Sequence, residues 1–307
     1  MTKVYIVRKP AEVYLKRLEE NFKEFEFVCE EDLDAEIIIG NVKPERLKEF
    51  KNLKWVQTDS VGVEKYTKKG VLNDNVVLTN AVAVHSQEVA EHVLACILMS
   101  IKRLHQYRDN QHNCLWKDEG KVKEIGKLRV CVVGYGDIGK TLSKMLKALG
   151  IYVIGVKRTP IEKPEYLDEL YLQNDLIKAI SDVDVVVSVL PGSGSNVHLF
   201  DVDTFKAMRK DTIFINAGRG NLYTEETLKK VLDEKIINLV ISDVFEKEPL
   251  DKNSDLYKYN NLIITPHTAG GYHLDSAFDR FADLYEENLR RYSNKEKLLY
   301  IVEERFD

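Results

Sequence analysis

The chain has 307 residues and a mass of 35.4 kDa, which is long for a single hydrophobic core and favours two domains. Its 45 basic and 50 acidic residues give a formal net charge of -5, and no basic stretch is interleaved with aromatic residues, which argues against a nucleic-acid partner. The four cysteines form no CxxC pair and the N-terminus is too short and too charged for a signal peptide, so we expect a reduced, cytoplasmic protein.

The first part of the chain alternates short apolar runs with charged stretches of helical period, which predicts an α/β unit. Five runs predict strands: VYIV (4–7), FEFV (25–28), AEIIIG (35–40), LKWVQT (53–58) and VVLT (76–79). The segment SQEVAEHVLACILMSIKRLHQY that follows predicts one long helix with Ser86 as its N-cap. Its most apolar run, VLACILMSI, is far below the ~20 residues needed to span a bilayer, so we expect no membrane partner.

A second alternating series begins after this helix. Its runs are continuous and rich in Val and Ile, which is typical of parallel strands covered on both faces. Six strands are predicted: LRVCVVG (128–134), YVIGV (152–156), DVVVSVL (184–190), TIFIN (212–216), LVISDV (239–244) and LIITP (262–266). The closing segment 275–292 predicts a helix that we expect to return to the first unit, placing a cleft between two α/β lobes.

The motif GYGDIG follows a predicted strand and opens a predicted helix. Gly134, Gly136 and Gly139 have the spacing that serves a tight turn, the approach of a pyrophosphate and the packing of helix on strand. Asp137 and Ile138 lie within the motif, and the predicted helix that it opens is TLSKMLKALG. The alternative is a strand-to-helix turn without a ligand, but the context favours dinucleotide binding.

The second strand of this series ends on cations instead of the expected acid. NAD-binding folds place Asp or Glu at this point, where the carboxylate accepts hydrogen bonds from the adenosine ribose. Here the positions are Lys157, Arg158 and Thr159, which suit a 2′-phosphate through charge-assisted hydrogen bonds. The sequence therefore predicts NADP(H) as the preferred cofactor with NAD(H) possible; the alternative is a solvated pair of charges at a strand end.

Several motifs in order make the chain resemble the D-isomer-specific 2-hydroxyacid dehydrogenases, the family of glyoxylate/hydroxypyruvate reductases, phosphoglycerate dehydrogenase and formate dehydrogenase. The motifs are VGYGDIG, SVLPGSGSN, INAGRGNLYTEETL, ISDVFEKEPL and NLIITPHTAGG, with WVQTDSVGVEKY and AVHSQEVAEHVLACIL before them. The resemblance implies an α/β fold of two doubly wound parallel-sheet lobes, in which a Rossmann nucleotide domain (96–284) is inserted into a flavodoxin-like substrate domain (1–95 plus 285–307). It also implies a homodimer.

Three residues have the chemistry that reduction of a 2-oxo acid requires. Arg219, in NAGRG, offers a planar fork for a carboxylate. His267, in TPH at a strand end, is a natural proton donor near neutral pH. A carboxylate on its other ring nitrogen would favour the imidazolium; Glu248 and Glu246 both qualify, and the family pattern, with the acid directly before ProLeu, selects Glu248.

The resemblance extends to residues that would contact substrate and cofactor. Val61, Gly62 and Val63 match a loop whose backbone amides receive the substrate carboxylate, although Glu64 stands where many relatives carry Asp. Asn196 replaces a more usual threonine, and Asp243 resembles the residue that contacts the nicotinamide amide. The expected cofactor contacts are Gly134, Gly136, Asp137, Ile138, Gly139, Lys157, Arg158, Thr159, Leu190, Pro191, Ala217, Gly218, Arg219, Asp243, His267 and Ala269.

Two further groups of residues are candidates for ligand contacts. His85, Glu88 and His92 have a spacing that could place them on one helix face as metal ligands, but no fourth ligand is evident and we expect no metal. Candidates for the specificity pocket are Tyr66, Trp116 and Tyr272.

The sequence thus predicts an NADPH-preferring reductase of small 2-oxo acids of the glyoxylate or hydroxypyruvate type, yielding D-2-hydroxy acids. An NAD-dependent D-2-hydroxyacid dehydrogenase is the nearest alternative. Phosphoglycerate dehydrogenase is less favoured, because the loop TDSVG has no arginine to hold a phosphate. A nucleotide-sensing corepressor on the same scaffold is a third alternative, and the complete set of Arg219, Glu248 and His267 argues against it.

Overall fold

A computed structural model of the protein describes residues 1–192, 194–271 and 273–303. In chain order the strands are β1 (Thr2–Ile6), β2 (Phe25–Val28), β3 (Ile37–Ile39), β4 (Trp55–Gln57), β5 (Val77–Thr79), β6 (Arg129–Val133), β7 (Tyr152–Lys157), β8 (Glu169–Leu172), β9 (Val185–Ser188), β10 (Ile213–Asn216), β11 (Leu239–Ser242) and β12 (Leu262–Ile264). The helices are α1 (Glu12–Asn21), α2 (Ser86–Ile101), α3 (Leu104–His112), α4 (Asp137–Ala148), α5 (Leu176–Ile180), α6 (Val202–Lys206), α7 (Glu225–Asp233) and α8 (Asp275–Ser293).

The chain divides into two compact units. The terminal unit consists of Met1–His85 and Gly271–Asp307, and the central unit is Ser86–Gly270. The division expected after residue 95 falls inside α2, and the one expected before residue 285 falls inside α8. In the structure α2 packs against α4 and belongs whole to the central unit, while α8 packs on the core of the terminal unit.

The terminal unit is built on a five-stranded parallel sheet with the order β2-β1-β3-β4-β5. This is the flavodoxin-like order: β2 is added on one side of β1, and β3, β4 and β5 are added on the other side. Successive residues of its strands point to opposite faces, so Ile37 and Ile39 pack on one side and Ile38 packs on the other. Both faces are covered, which explains why these strands are apolar without alternation.

The central unit is built on a seven-stranded parallel sheet with the order β12-β11-β10-β9-β6-β7-β8. The order reverses between β6 and β9, which pair along Val130 to Val133. In doubly wound sheets ligands bind outside the carboxyl ends of the strands at such a reversal. The fold class predicted from the sequence is therefore confirmed, and the glycine motif after β6 lies at the reversal point.

Three details of the predicted elements were wrong or missing. The long helix expected from Ser86 is two helices, because Arg103 has the left-handed φ of 57° and separates α2 from α3. The guanidinium of Arg103 donates to the backbone carbonyl of Lys121 and to the side-chain oxygen Oε1 of Gln106. Helix α2 begins at Ser86 itself, and β8 was not predicted. Over the described residues, no helix is both long and apolar enough to cross a membrane.

Candidate active site

The glycine turn after β6 has the shape that a dinucleotide needs. Gly134 has a φ of 106°, which L side chains rarely adopt. A Cβ at Gly139 would lie 2.4 Å from the carbonyl oxygen of Gly134, so the first turn of α4 packs directly on the loop. A Cβ at Gly136 would meet nothing within 4 Å, so the backbone there is open to a ligand. The free amides at the N-terminus of α4, which begins at Asp137, point toward this open space.

The cationic end of β7 lies beside this turn. The ammonium of Lys157 donates to the backbone carbonyl of Tyr135 at 3.1 Å, which holds it against the glycine loop. An ammonium has three donors, so two N–H bonds of Lys157 remain for a ligand. Arg158 and Thr159, directly after the strand, are exposed. Lys157 and Arg158 thus occupy the position at which NAD-binding folds carry a carboxylate.

The loops after β9 and β10 meet the glycine turn closely. A Cβ at Gly218 would lie 2.5 Å from the carbonyl oxygen of Leu190, and a Cβ at Gly134 would lie 3.1 Å from the carbonyl of Val189. Ala217 is buried and Pro191 is exposed. The structure therefore brings the expected contacts Leu190, Ala217 and Gly218 to the same edge of the sheet as the glycine turn.

Asn196, the departure from the usual threonine, has a structural partner on each side. Its Nδ2 donates to the carbonyl of Pro191 at 3.1 Å, and its Oδ1 accepts from Nε2 of Gln173 at 3.2 Å. The residue is buried. Asn196 therefore fastens the loop that contains Leu190 and Pro191 to the chain after β8.

The buried carboxylate of Asp243 organises the segment after β12. Its Oδ1 accepts from Oγ1 of Thr265 at 2.5 Å and from the amide of Thr268 at 2.9 Å, and its Oδ2 accepts from the amide of Ala269 at 3.0 Å. A carboxylate has about four lone-pair positions, and donors from the described residues fill three of them, which leaves one on Oδ2. That position fits a single external N–H donor.

The histidine and the acid expected to act together are in contact. Nδ1 of His267 lies 2.6 Å from Oε2 of Glu248, and Oε1 of Glu248 accepts the amide of Phe245 at 2.8 Å. Glu246, the rival acid, instead lies 3.5 Å from Nε2 of His198. The side chains of His267 and Glu248 are 51% and 32% exposed, so the pair is open to a ligand.

The backbone of His267 is held in an uncommon conformation. Its φ is 53°, in the left-handed region that a side chain other than glycine's seldom adopts. Its amide donates to the carbonyls of Asp243 at 2.8 Å and Thr265 at 3.1 Å. The carboxylate of Asp243, by binding the amides that follow, keeps the imidazole aimed outward from the strand end.

Arg219 extends from a turn after β10 that buried side chains support. Asn216 accepts the amide of Gly218 at 3.1 Å and donates to the carbonyl of Arg219 at 3.0 Å. Asn216 also bonds the hydroxyl of Tyr223, which in turn bonds Ser242 at 2.8 Å. This supporting chain was not predicted, although the asparagine was visible in INAGRG.

The predicted substrate loop lies in the terminal unit. Oγ of Ser60 donates to the carbonyl of Gly62, and Asn80 donates to the carbonyl of Val61 at 3.1 Å. Within the described part of the chain, the amides of Val61, Gly62 and Val63 donate to no protein acceptor. The loop is thus held by its carbonyls and side chains, which leaves its amides available to an anion.

The remaining candidates have other surroundings. Tyr66 is buried and its hydroxyl donates to the carbonyl of Val42 at 2.8 Å. Trp116 is fully exposed, and Tyr272 lies outside the described residues. His92 contacts the hydroxyl of Thr265 at 3.4 Å. Across residues 1–192, 194–271 and 273–303, no group of three His, Cys, Asp or Glu side chains could hold a metal ion.

A Rossmann-type unit with a glycine turn, an arginine and a histidine–carboxylate pair at one sheet edge defines a nucleotide-dependent dehydrogenase. The family model of the D-isomer specific 2-hydroxyacid dehydrogenase NAD binding domain matches residues 94–269, more than half of the chain. The protein belongs to this family.

Individual relatives agree with that assignment. A glyoxylate reductase of Thermococcus onnurineus is 27% identical over 325 residues, covering 96% of this chain and 93% of that protein. A D-lactate dehydrogenase of Streptococcus agalactiae is 28% identical over 250 residues, covering 75% of this chain and 73% of that protein. A solved structure, a D-isomer specific 2-hydroxyacid dehydrogenase family protein of Aeromonas salmonicida, matches with a TM-score of 0.86 at 26% identity over 98% of both chains. The protein is an NAD(P)-dependent oxidoreductase of 2-hydroxy acids.

Proposed function

We propose that this dehydrogenase is an NADPH-preferring reductase of small 2-oxo acids, glyoxylate or hydroxypyruvate, which gives the D-2-hydroxy acid where a stereocentre forms. The observation that carries the chemistry is the contact between His267 and Glu248. It supplies an oriented proton donor at the edge of the sheet where doubly wound folds bind their ligands.

The proposed cofactor site follows the geometry of the central unit. Gly136 and the amides of Asp137, Ile138 and Gly139 would hold the pyrophosphate, because a Cβ at Gly136 would meet no other atom and the helix begins there. When bound, NADPH supplies the hydride for the carbonyl carbon. The remaining contacts proposed for it are Leu190, Pro191, Ala217, Gly218, Arg219, His267 and Ala269.

Selectivity for the phosphorylated cofactor is proposed to come from the end of β7. Lys157 keeps two N–H donors after bonding Tyr135, and Arg158 and Thr159 beside it are exposed. Two cations and a hydroxyl favour a 2′-phosphate over ribose hydroxyls. At the other end of the cofactor, the open lone pair of Asp243 fits one N–H of the nicotinamide amide.

The protein residues then bind the substrate and deliver a proton. The planar guanidinium of Arg219 would bind the carboxylate and polarise the adjacent carbonyl. Glu248 accepts a hydrogen bond from Nδ1–H of His267 and orients the ring. The protonated ring then gives its Nε2 proton to the carbonyl oxygen and becomes a neutral imidazole. The amides of Val61, Gly62 and Val63 are proposed as further donors to the carboxylate.

The choice among substrates draws on the relatives and on the loop after β4. Similarity to the glyoxylate reductase of Thermococcus onnurineus supports glyoxylate as the substrate. Similarity to the D-lactate dehydrogenase of Streptococcus agalactiae makes pyruvate the main competing substrate. The loop TDSVG has no arginine for a substrate phosphate, which disfavours phosphoglycerate. We also propose that the enzyme is a cytoplasmic homodimer, as the family resemblance implies.

A matrix of substrates and cofactors tests this proposal. The purified protein would be assayed with glyoxylate, hydroxypyruvate, pyruvate and phosphohydroxypyruvate, each with NADPH and with NADH. We expect the highest kcat/KM for glyoxylate or hydroxypyruvate with NADPH, and a D product from hydroxypyruvate. A higher kcat/KM for pyruvate with NADH would instead make the protein a D-lactate dehydrogenase.

A further inference from the structure

The loop after β9 packs directly against the side chain of Arg219. A Cβ at Gly192 would lie 3.0 Å from Cγ and 3.1 Å from Cβ of Arg219. Those distances are tighter than ordinary packing, so the backbone of Gly192 forms a wall for the aliphatic stem of the arginine. The guanidinium itself donates from Nη1 to the carbonyl of Gly218 at 2.8 Å, so the loop confines the stem while the arginine's own turn holds the head group.

Asn221 forms hydrogen bonds to two residues of the same loop. Its Nδ2 donates to the carbonyl of Gly192 at 2.8 Å, and its backbone carbonyl accepts the amide of His198 at 2.9 Å. The turn that contains Arg219 is thereby fastened to both ends of the loop from Gly192 to His198.

The orientation of the Asn221 side-chain amide leaves its oxygen without a hydrogen bond to any residue that the structure describes, which is energetically unfavourable. Its Oδ1 is buried and has no hydrogen-bond partner among the described residues. It lies 2.7 Å from the position that a Cβ at Gly192 would occupy. A buried acceptor without a partner is unfavourable and uncommon in native proteins. The orientation satisfies Gly192 at the expense of the asparagine itself, which points to a role for the contact beyond local stability.

We propose that Gly192 and Asn221 are positioning residues that aim Arg219 at the substrate carboxylate and couple substrate affinity to occupancy of the cofactor site. This inference rests on the proposed function, because Arg219 must bind the 2-oxo acid and Leu190 and Pro191 must contact the cofactor. Pro191 directly precedes Gly192, so a cofactor that contacts Pro191 also acts on the backbone that confines the stem of Arg219. The coupling is reciprocal, since each ligand then raises the affinity of the other by the same factor.

The test compares Gly192→Ala, Asn221→Ala and Asn221→Asp with the wild type. Alanine at 192 pushes the stem of Arg219 aside, and alanine at 221 removes the donor to Gly192. Aspartate keeps the shape of the asparagine but turns a carboxylate oxygen toward the carbonyl of Gly192, so attraction becomes repulsion. Alanine at 221 also removes a buried acceptor that has no partner among the described residues, and it is therefore the variant most able to keep the fold. The matched control is Glu246→Gln, which breaks the exposed 3.5 Å pair between the same loop's His198 and Glu246 without touching Arg219.

Two readouts separate positioning from general damage. The first is steady-state kinetics, in which we expect the KM for glyoxylate to rise roughly tenfold or more in all three variants while the cofactor Kd stays within about twofold. The second is titration of oxamate, an unreactive 2-oxo acid analogue, with and without saturating NADP⁺. We expect the wild type to bind oxamate about 5–150-fold more tightly with the cofactor, and the variants to lose most of that factor.

Loss of active protein alone would lower kcat and leave KM unchanged. A KM and an oxamate coupling in the variants equal to those of Glu246→Gln would overturn the positioning role. If the wild type reduces glyoxylate and Arg219→Lys impairs it, that result would leave the proposed function intact. If the wild type reduces no 2-oxo acid, or Arg219→Lys changes nothing, the proposed function fails and the coupling fails with it.

Discussion

Nδ1 of His267 and Oε2 of Glu248 lie 2.6 Å apart, although the two residues come from different strand ends of the central sheet. The second oxygen of Glu248 is fixed by the amide of Phe245. The carboxylate is therefore held by the backbone, and it in turn fixes the orientation of the imidazole. Glu248 is thus the carboxylate in contact with His267, whereas Glu246 lies beside His198.

Replacing the proton donor should stop turnover and spare binding. We expect His267→Asn to lower kcat by a factor on the order of 100 to 10,000, because general acid catalysis is lost while the surrounding backbone is kept. Cofactor affinity, measured by fluorescence titration, should stay nearly unchanged. Glu246→Gln is the control and should retain wild-type kcat. If His267→Asn keeps most of its activity, another group is the acid.

Changing the shape of the cation should affect the substrate and leave the cofactor alone. In Arg219→Lys we expect kcat/KM for glyoxylate to fall roughly tenfold or more, because an ammonium lacks the planar fork that binds a carboxylate through two bonds. The same substitution at Arg46, which forms ion pairs with Glu31 and Glu49, serves as the control. An unchanged kcat/KM in Arg219→Lys would remove this arginine from the site.

The ion-pair network at the amino ends of β6, β9 and β10 should make stability depend on pH. A hydrogen bond from Lys123, supported by Arg209, lowers the pKa of Asp211 from 3.8 to about 2, although partial burial acts in the opposite direction. Because the pKa of this carboxyl is lower in the folded state than in the unfolded state, the group stabilises the fold at pH values above its unfolded-state pKa. That stabilisation is lost as the pH falls to the folded-state pKa. The protein should therefore lose stability between pH 3.8 and about 2.

The variant Asp211→Asn isolates this contribution. At pH 7 we expect its free energy of unfolding to be lower than that of the wild type by roughly 0.2–1 kcal/mol, a small value because the pair is partly exposed. Urea unfolding at several pH values should show the difference shrinking as the pH approaches about 2. Asp203→Asn, at a highly exposed carboxylate 3.8 Å from Lys206, should show almost no difference at any pH. A constant difference for Asp211→Asn would contradict the assignment.

The sequence predicted the sheets because the strands are apolar runs and the structure buries them. The apolar runs from VYIV to LIITP are strands buried on both faces, and the glycine spacing after β6 corresponds to distinct steric demands at Gly134 and Gly139. Strand β8 was missed because its sequence ELYL is short and only partly buried. The break between α2 and α3 was missed because arginine, unlike glycine or proline, gives no local signal for a left-handed residue.

The candidate site was predictable as far as chemistry follows residue type and motif. The sequence names His267, Glu248 and Arg219 as candidates, and it prefers Glu248 to Glu246 only through the family pattern. The contact between Glu248 and His267 supports that preference, and the catalytic roles stay predictions. The hydrogen bond from Asn221 to the carbonyl of Gly192 joins two loops that are distant in sequence. It could not be predicted, because no local pattern of residue types indicates which loops meet.

The cations at the end of β7 give the sharpest test of cofactor choice. Each charge-assisted bond from Lys157 or Arg158 to a 2′-phosphate is worth ~1.5–3 kcal/mol that NADH cannot gain, so we expect kcat/KM to favour NADPH at least tenfold. Lys157→Asp supplies an acceptor for ribose hydroxyls and repels the phosphate, so the preference should fall sharply or invert. Lys206→Asp makes the same charge change in α6 and is the matched control. High salt should weaken NADPH binding more than NADH binding, because screening acts on exposed charges. Equal use of both cofactors by the wild type, or a ratio that Lys157→Asp leaves unchanged, would mean that these cations are only a solvated strand end.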